Sequence, residues 1–421
     1  MRDEDLELAK GEIAGGTASV ALACRGRLLG RAEGNGLLPL VDLLDRLGWA
    51  PEQGAGFWPA PPVLADRVVG KAAALLAAQA GVRAVWGRVV SSAARETLRA
   101  RGIHVEGEEM VPFVHGRQPG VMCPMERLVA LADDPADGSE ILWNALGRGP
   151  QPPWLREVAA RLPGRPGERV VGRLLLGYED CPSTNDLLQE LARRGYPEGT
   201  VVISRRQTAG RGRLGRRWES PAGGIWMSVL LRPPEELLRT GGVLVATGSL
   251  AVCRALAQVV DLECGIKWPN DVYVGGRKLG GILAEAGPGY VVLGIGVNAD
   301  LPPSGLPEEV RAGATSVLEA AGRAPLADLT AGLLFHLDGV YRVLREEGPE
   351  PLLREWRRRA IVLGREVVIA GRESWSGVAE DVDEQGALLV RKPTGELVRL
   401  VVGDVSLRTG GREGGGGCTA T

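Results

Sequence analysis

Residues 147–168, GRGPQPPWLREVAARLPGRPGE, crowd glycine and proline around one short helical patch at 154–162. Proline and glycine at this density break helices and leave strand ladders unpaired, so the stretch reads as a linker between separately folding units. A first domain is expected over 1–146. The 421 residues suit this division, because roughly two to four domains of about 100–200 residues can each bury a core. At the other end, 409–421 is glycine-rich and reads as a flexible tail.

The composition removes several classes of function. Hydrophobic residues make up 44% and charged residues 24%, which is ordinary for a globular protein and contrary to disorder. A net charge of −2 gives no general attraction to nucleic acid. No run of about 18 apolar residues stands out, and the start, MRDEDLELAK, is acidic, unlike a signal peptide. A cytoplasmic protein without membrane contact is therefore expected. Six scattered cysteines form no C-x-x-C pair and only three histidines accompany them, which argues against a zinc or disulfide framework. Only five of the 50 basic residues are lysine, namely Lys10, Lys71, Lys267, Lys278 and Lys392. In an arginine-rich chain each compact ammonium draws attention.

The two sides of the linker differ in pattern. Before it, strand-like runs at 18–29, with a turn at 25–27, and at 84–90 alternate with helical spacing over 37–47, 63–80 and 93–100. Gly81 suits a helix C-cap, and Ser91 or Ser92 suits the next N-cap. This alternation predicts an α/β sandwich. After the linker, strand-like runs at 169–176, 200–204, 225–231 and 290–295 alternate with helices near 243–260 and 327–347, the pattern of an α+β domain over 169–360. Beyond 361 come short β segments at 366–370, 375–381, 387–391 and 397–402, which predict a small β-barrel ending near 408.

Gly210-Arg211-Gly212-Arg213-Leu214-Gly215 satisfies G-x-G-x-x-G, but its context contradicts a dinucleotide site. That site needs a helix opening on the third glycine. Here Arg216-Arg217-Trp218-Glu219-Ser220-Pro221 leads into Gly223-Gly224 and another strand. What remains is a glycine-rich loop with four arginines. Its backbone N–H groups and guanidinium forks suit an anion, and taken alone it reads equally as a solvated basic turn.

The neighbours of the loop narrow the choice. Ser183-Thr184-Asn185 and Gln207-Thr208-Ala209 precede it. Lys267-Trp268-Pro269-Asn270-Asp271, Arg277-Lys278-Leu279-Gly280-Gly281-Ile282-Leu283 with Glu285, and Gly294-Ile295-Gly296-Val297-Asn298 follow. In this order and spacing, over about 170–408, the chain resembles the biotin protein ligases. The resemblance implies a catalytic domain like that of class II aminoacyl-tRNA synthetases, followed by an SH3-like barrel. It also implies a reaction in which biotin and ATP, with Mg²⁺, form biotinyl-5′-adenylate. The biotinyl group then passes to a lysine of a biotin carboxyl carrier domain.

The resemblance assigns roles to single residues. Lys278 and Arg213 are expected at the junction of biotin carboxylate and α-phosphate, where preorganised charge lowers the barrier. Arg211 and Gly212 belong to the loop that covers biotin. Ser183, Thr184, Asn185 and Gln207 are expected on the neutral polar ureido ring, which needs matched donors and acceptors once buried. Ser-Thr-Asn also suits a helix N-cap, and both readings can hold. Trp218 is expected on the adenylate, with Lys267, Asn298 and Arg408 also toward the nucleotide. Asp271 is expected to orient the incoming carrier lysine. A lipoyl ligase of the same fold and a non-catalytic biotin sensor are the competing readings. A homodimer is compatible with either.

Residues 1–146 lack a clear basic recognition helix, so DNA binding is not expected. The segments 65–74, Gly102-Ile103 and Met122-Cys123-Pro124-Met125-Glu126 resemble an uncharacterised family with a cytidine-deaminase-like fold. The paired Pro-Cys-x-x-Cys ligands of a zinc deaminase are missing, so zinc catalysis is not expected. Lys71 is open between lining a site and snorkelling along a helix. Cys123 is open between a site and a buried core thiol.

Overall fold

Arg25 and Gly26 both hold positive φ, 54° and 73°, as a two-residue hairpin turn between right-twisted strands requires. They join β1 (Val20–Cys24) to β2 (Arg27–Ala32) at the place where the sequence predicts a turn. The computed structural model describes residues 3–116, 120–164, 169–238, 241–302, 305, 307–370, 374–401 and 403–407. By contacts the chain divides into two compact units. One comprises Met1–Arg156, Gly164–Gly177 and Asp186–Val202, and the other Glu157–Pro163, Tyr178–Asn185 and Ile203–Thr421.

In the first unit, β3 (Val63–Val69), β4 (Ala84–Ser91) and β5 (His104–Val111) run parallel to one another and complete a sheet of order β2-β1-β3-β4-β5. The helix expected over 63–80 is therefore half strand. Residues 63–66 are buried on both faces, and a strand covered on both sides is a continuous apolar run that periodicity cannot separate from helix. Gly70 caps the shorter helix that follows, Lys71–Gln79. The helix Glu4–Ala14 lays Leu6, Ala9 and Ile13 on one sheet face, against Ala21, Ala23 and Ala65. Ser91 caps the helix Ser92–Arg99 by accepting from Ala94 N–H. Buried Glu126 accepts from Lys71 N–H, Ser91 Oγ–H and Val114 N–H, at 2.8, 2.7 and 2.8 Å. Lys71 Nζ donates to Ala130 O at 2.8 Å, and half-buried Cys123 caps the helix Pro124–Leu128.

A second sheet contains β6 (Leu174–Cys181), β7 (Thr200–Gln207), β8 (Ile225–Leu231), β9 (Gly265–Lys267), β10 (Asp271–Val274), β11 (Arg277–Gly287) and β12 (Tyr290–Val297), in the order β6-β7-β8-β12-β11-β10-β9. From β8 to β9 every neighbouring pair is antiparallel. The long helix Gly241–Val260 packs on one face, where Gly248 leaves room for Ile282 and Leu293. On length and composition this helix could cross a membrane, which corrects the expectation that no such run exists. Its most apolar window is 72% buried in the structure, so it is a core helix here. A third sheet, entirely antiparallel, has the order β16-β15-β14-β13-β17. Its strands are β13 (Glu366–Ala370), β14 (Trp375–Val382), β15 (Leu388–Arg391), β16 (Leu397–Leu400) and β17 (Asp404–Leu407), the small β domain read from the sequence.

Candidate active site

The second sheet presents one face to a cavity of about 660 Å³. Strand alternation decides which residues share that face. Asp271 pairs with Gly281, and Gly281 with Gly296; Leu283 pairs with Gly294, and Gly294 with Ser228. Lys278 lies three residues before Gly281, so simple alternation would turn it to the opposite face. A β-bulge prevents this. Val272 pairs with Gly280 but Tyr273 pairs with Lys278, leaving Leu279 as the extra residue, which is fully buried. Lys278 thereby joins Asp271 and Gly281 on the cavity face.

There the Lys278 ammonium stands 2.7 Å from Asp271 Oδ1, an ion pair by distance that is not aligned as a hydrogen bond. It also stands 5.0 Å from the centroid of the Trp218 ring, within reach of a cation–π attraction. Lys278 N–H donates to Gly313 O, and its carbonyl accepts from Thr315 N–H, which fixes its backbone. Lys267 packs its ammonium 5.5 Å from the centroid of Tyr273.

The glycine-rich loop folds back on itself. Gly212 N–H donates to Arg216 O at 2.7 Å and Trp218 N–H to Gly210 O at 2.9 Å, so no helix follows the third glycine. Arg213 Nη1 donates to Asn270 Oδ1 at 3.3 Å, and Arg211 Nη2 to both oxygens of Glu285 at 3.1 Å. One missing side chain makes room for the indole: a Cβ at Gly296 would lie 2.8 Å from Trp218 Nε1, whereas one at Gly281 would meet the ring at an ordinary contact of 3.5 Å.

Ser183, Thr184 and Asn185, at the start of the helix Thr184–Arg193, are buried with Gln207 beside them. Thr184 N–H and Oγ1–H both reach Gln207 Oε1, at 2.8 and 3.1 Å, and Gln207 Nε2 donates to Ser220 Oγ at 2.9 Å. Ser228 Oγ lies 2.7 Å from Thr184 Oγ1 and 2.5 Å from Asn185 Oδ1. Asn185 Nδ2 donates to Glu285 Oε2 at 2.6 Å. Asn298 is held by Nδ2–H to Thr315 O at 3.0 Å.

Ser183, Thr184, Asn185, Gln207, Arg211, Gly212, Arg213, Trp218, Lys267, Asp271, Lys278 and Asn298 all line this one cavity. Arg408 lies outside the described residues. Sequence reading missed Asn270 and Glu285, which it quoted inside motifs without a role, and it missed Ser228 altogether. A signal for Ser228 existed: it is the one polar residue in the buried run Ile225–Leu231, and a buried hydroxyl needs partners. Nothing in the sequence indicated Ala370, Val405 and Ser406, which line the cavity from the third sheet.

Comparison with known proteins relates each part of the chain to a family. Residues 176–301 match the profile of the biotin/lipoate A/B protein ligase family and 362–408 that of the biotin protein ligase C-terminal domain. Residues 21–146 match a domain of unknown function, DUF1893. The chain is 38% identical over 231 residues to the biotin–[acetyl-CoA-carboxylase] ligase of Mycobacterium tuberculosis, covering 53% of this chain and 85% of that one. It is 33% identical over 248 residues to the bifunctional ligase/repressor BirA of Bacillus subtilis, covering 56% and 75%. The biotin protein ligase of Aquifex aeolicus in complex with biotin and ATP superposes with a TM-score of 0.51 at 29% identity, covering 56% of this chain and 98% of that one.

Proposed function

The chain belongs to the biotin/lipoate A/B protein ligase family, and from that premise we propose that it is an ATP-dependent biotin protein ligase whose chemistry runs in the Lys278 cavity. A biotin carboxylate oxygen attacks the α-phosphorus of ATP. A new P–O bond forms, the α–β bridging P–O bond breaks, and pyrophosphate leaves. The amine of a carrier lysine then attacks the acyl carbon, an amide forms, and AMP departs while the amine loses a proton.

Both anions of the first step need cations in place before they meet, because water-excluded charge stabilises a developing negative transition state strongly. Lys278 and Arg213 supply them. The hydroxyl and amide cluster of Ser183, Thr184, Asn185 and Gln207 suits biotin's neutral ring, with Arg211 and Gly212 above it. The face of Trp218 suits the adenylate, and Asn298 and Lys267 lie in the same cavity for the nucleotide. Asp271 is the acceptor for the incoming lysine. Mg²⁺ would accompany ATP and offset part of the phosphate charge.

The observation that carries this reading is the bulge that puts Lys278 beside Asp271 and Trp218. The partner is a biotin carboxyl carrier protein, in a cytoplasmic setting without DNA or membrane, and a homodimer is compatible. Incubating the protein with ATP, radiolabelled biotin and a carrier domain tests it. Label on a carrier lysine supports the ligase. Tight biotin binding without transfer supports a sensor, and transfer of lipoate in place of biotin supports a lipoyl ligase.

A further inference from the structure

Glu285 does not line the cavity, yet Asn185 and Arg211, which do, both converge on its carboxylate. It is the fifth residue from Gly281 along β11, so alternation places it on the cavity face with Gly281 and Leu283. Asn185 is almost fully buried, at 5% exposure, and both ends of its amide are held. The oxygen faces Ser228 Oγ at 2.5 Å and the nitrogen faces Glu285 Oε2 at 2.6 Å.

The two ends of an amide have the same shape and opposite hydrogen-bonding sense, so partners decide which end points where. The Ser228 hydroxyl can donate or accept and cannot enforce the choice. A carboxylate only accepts. Glu285 therefore determines that the nitrogen of Asn185 turns toward β11. One hydrogen of that nitrogen goes to Glu285, and the other enters no hydrogen bond among the described residues. Arg211 anchors the same carboxylate from the loop, which restrains it from swinging away.

We infer that Glu285 is a positioning residue: it fixes Asn185 as a hydrogen-bond donor toward the carbonyl of biotin's ureido ring, and so sets biotin affinity without touching biotin. This rests on the ligase reading above. A ureido ring has one carbonyl acceptor and two N–H donors, so an amide turned the wrong way meets it with the wrong sense.

The experiment compares Glu285→Ala and Glu285→Gln with the unaltered protein. Equilibrium biotin binding is measured by calorimetry, and KM for biotin and for ATP in adenylate formation. Removing the acceptor in Glu285→Ala should weaken biotin by about tenfold or more, the scale of one charge-assisted hydrogen bond. KM for ATP should stay within about twofold of the unaltered protein. Glu285→Gln keeps an acceptor oxygen for Asn185 and should recover most of the loss, which also covers an alanine variant that fails to fold. Biotin affinity unchanged in a folded Glu285→Ala, biotin and ATP weakened in parallel, or no recovery in Glu285→Gln would each overturn the inference. Biotin binding without adenylate formation in the unaltered protein would overturn the ligase reading instead, and the binding ratio would still decide on Glu285.

Discussion

Lys278 and Asp271 sit 2.7 Å apart, Nζ to Oδ1, on neighbouring strands, and only because the bulge at Leu279 turns Lys278 to the face that Asp271 already occupies. Their side chains are 30% and 20% exposed, so the pair adds less than about 1 kcal/mol to stability. In the proposed reaction the pair holds an ammonium ready for an incoming anion.

Lys278→Ala should lower the rate of pyrophosphate release by about 100-fold or more while the thermal midpoint moves little. Lys278→Arg should rescue poorly, since a planar fork does not replace a compact charge above an indole. Near-normal pyrophosphate release by Lys278→Ala would remove Lys278 from the first step.

Asp271→Asn should separate the two steps. Its amide oxygen is a weaker acceptor for the carrier lysine, so transfer from preformed adenylate should slow by roughly tenfold or more. Adenylate formation should change less. Single-turnover measurement of each step checks the order of the two effects.

Gly294 and Gly296 alternate on one strand and should fail in different ways. A Cβ at Gly294 would overlap Asn185 Oδ1, whereas a Cβ at Gly296 would press on Trp218 Nε1 at 2.8 Å. Gly294→Ala should raise KM for biotin, and Gly296→Ala should raise KM for ATP, each by roughly 1–3 kcal/mol of overpacking. Kinetics with each substrate varied in turn read the split.

How far the sequence could be read follows from the same strand. The resemblance carried by the ordered motifs named twelve residues that one cavity brings together. The parity of β11 was not legible, since a bulge is a pairing event between two strands and a single strand's spacing does not contain it. Partners across chain distance were hidden too: Glu285 meets Asn185 from 100 residues away. In the first unit, β3 was read as helix for the related reason that burial on both faces erases alternation.

Asp66 gives that unit a pH response. Burial pushes its carboxyl from the ordinary 3.8 up to about 7, while Val68 N–H donates to it at 3.1 Å. Because the folded state holds the proton more tightly than the unfolded state, stability should fall as pH rises from about 4 to about 7 and then level off. Asp66→Asn keeps an acceptor and removes the charge. It should stabilise the protein at pH 8 and have little effect near pH 4. Urea midpoints at the two pH values check this, and equal shifts at both would count against the buried carboxyl.

In the proposed function one cavity performs two steps in sequence. The most direct measurement mixes the protein with labelled biotin and ATP, isolates the protein with its bound label, and then adds a carrier domain without further ATP. The expected result is biotinyl-5′-adenylate on the isolated protein and, after addition, label on a carrier lysine with AMP released in equal amount. Label that stays as free biotin, or an adenylate that the carrier cannot consume, would contradict it.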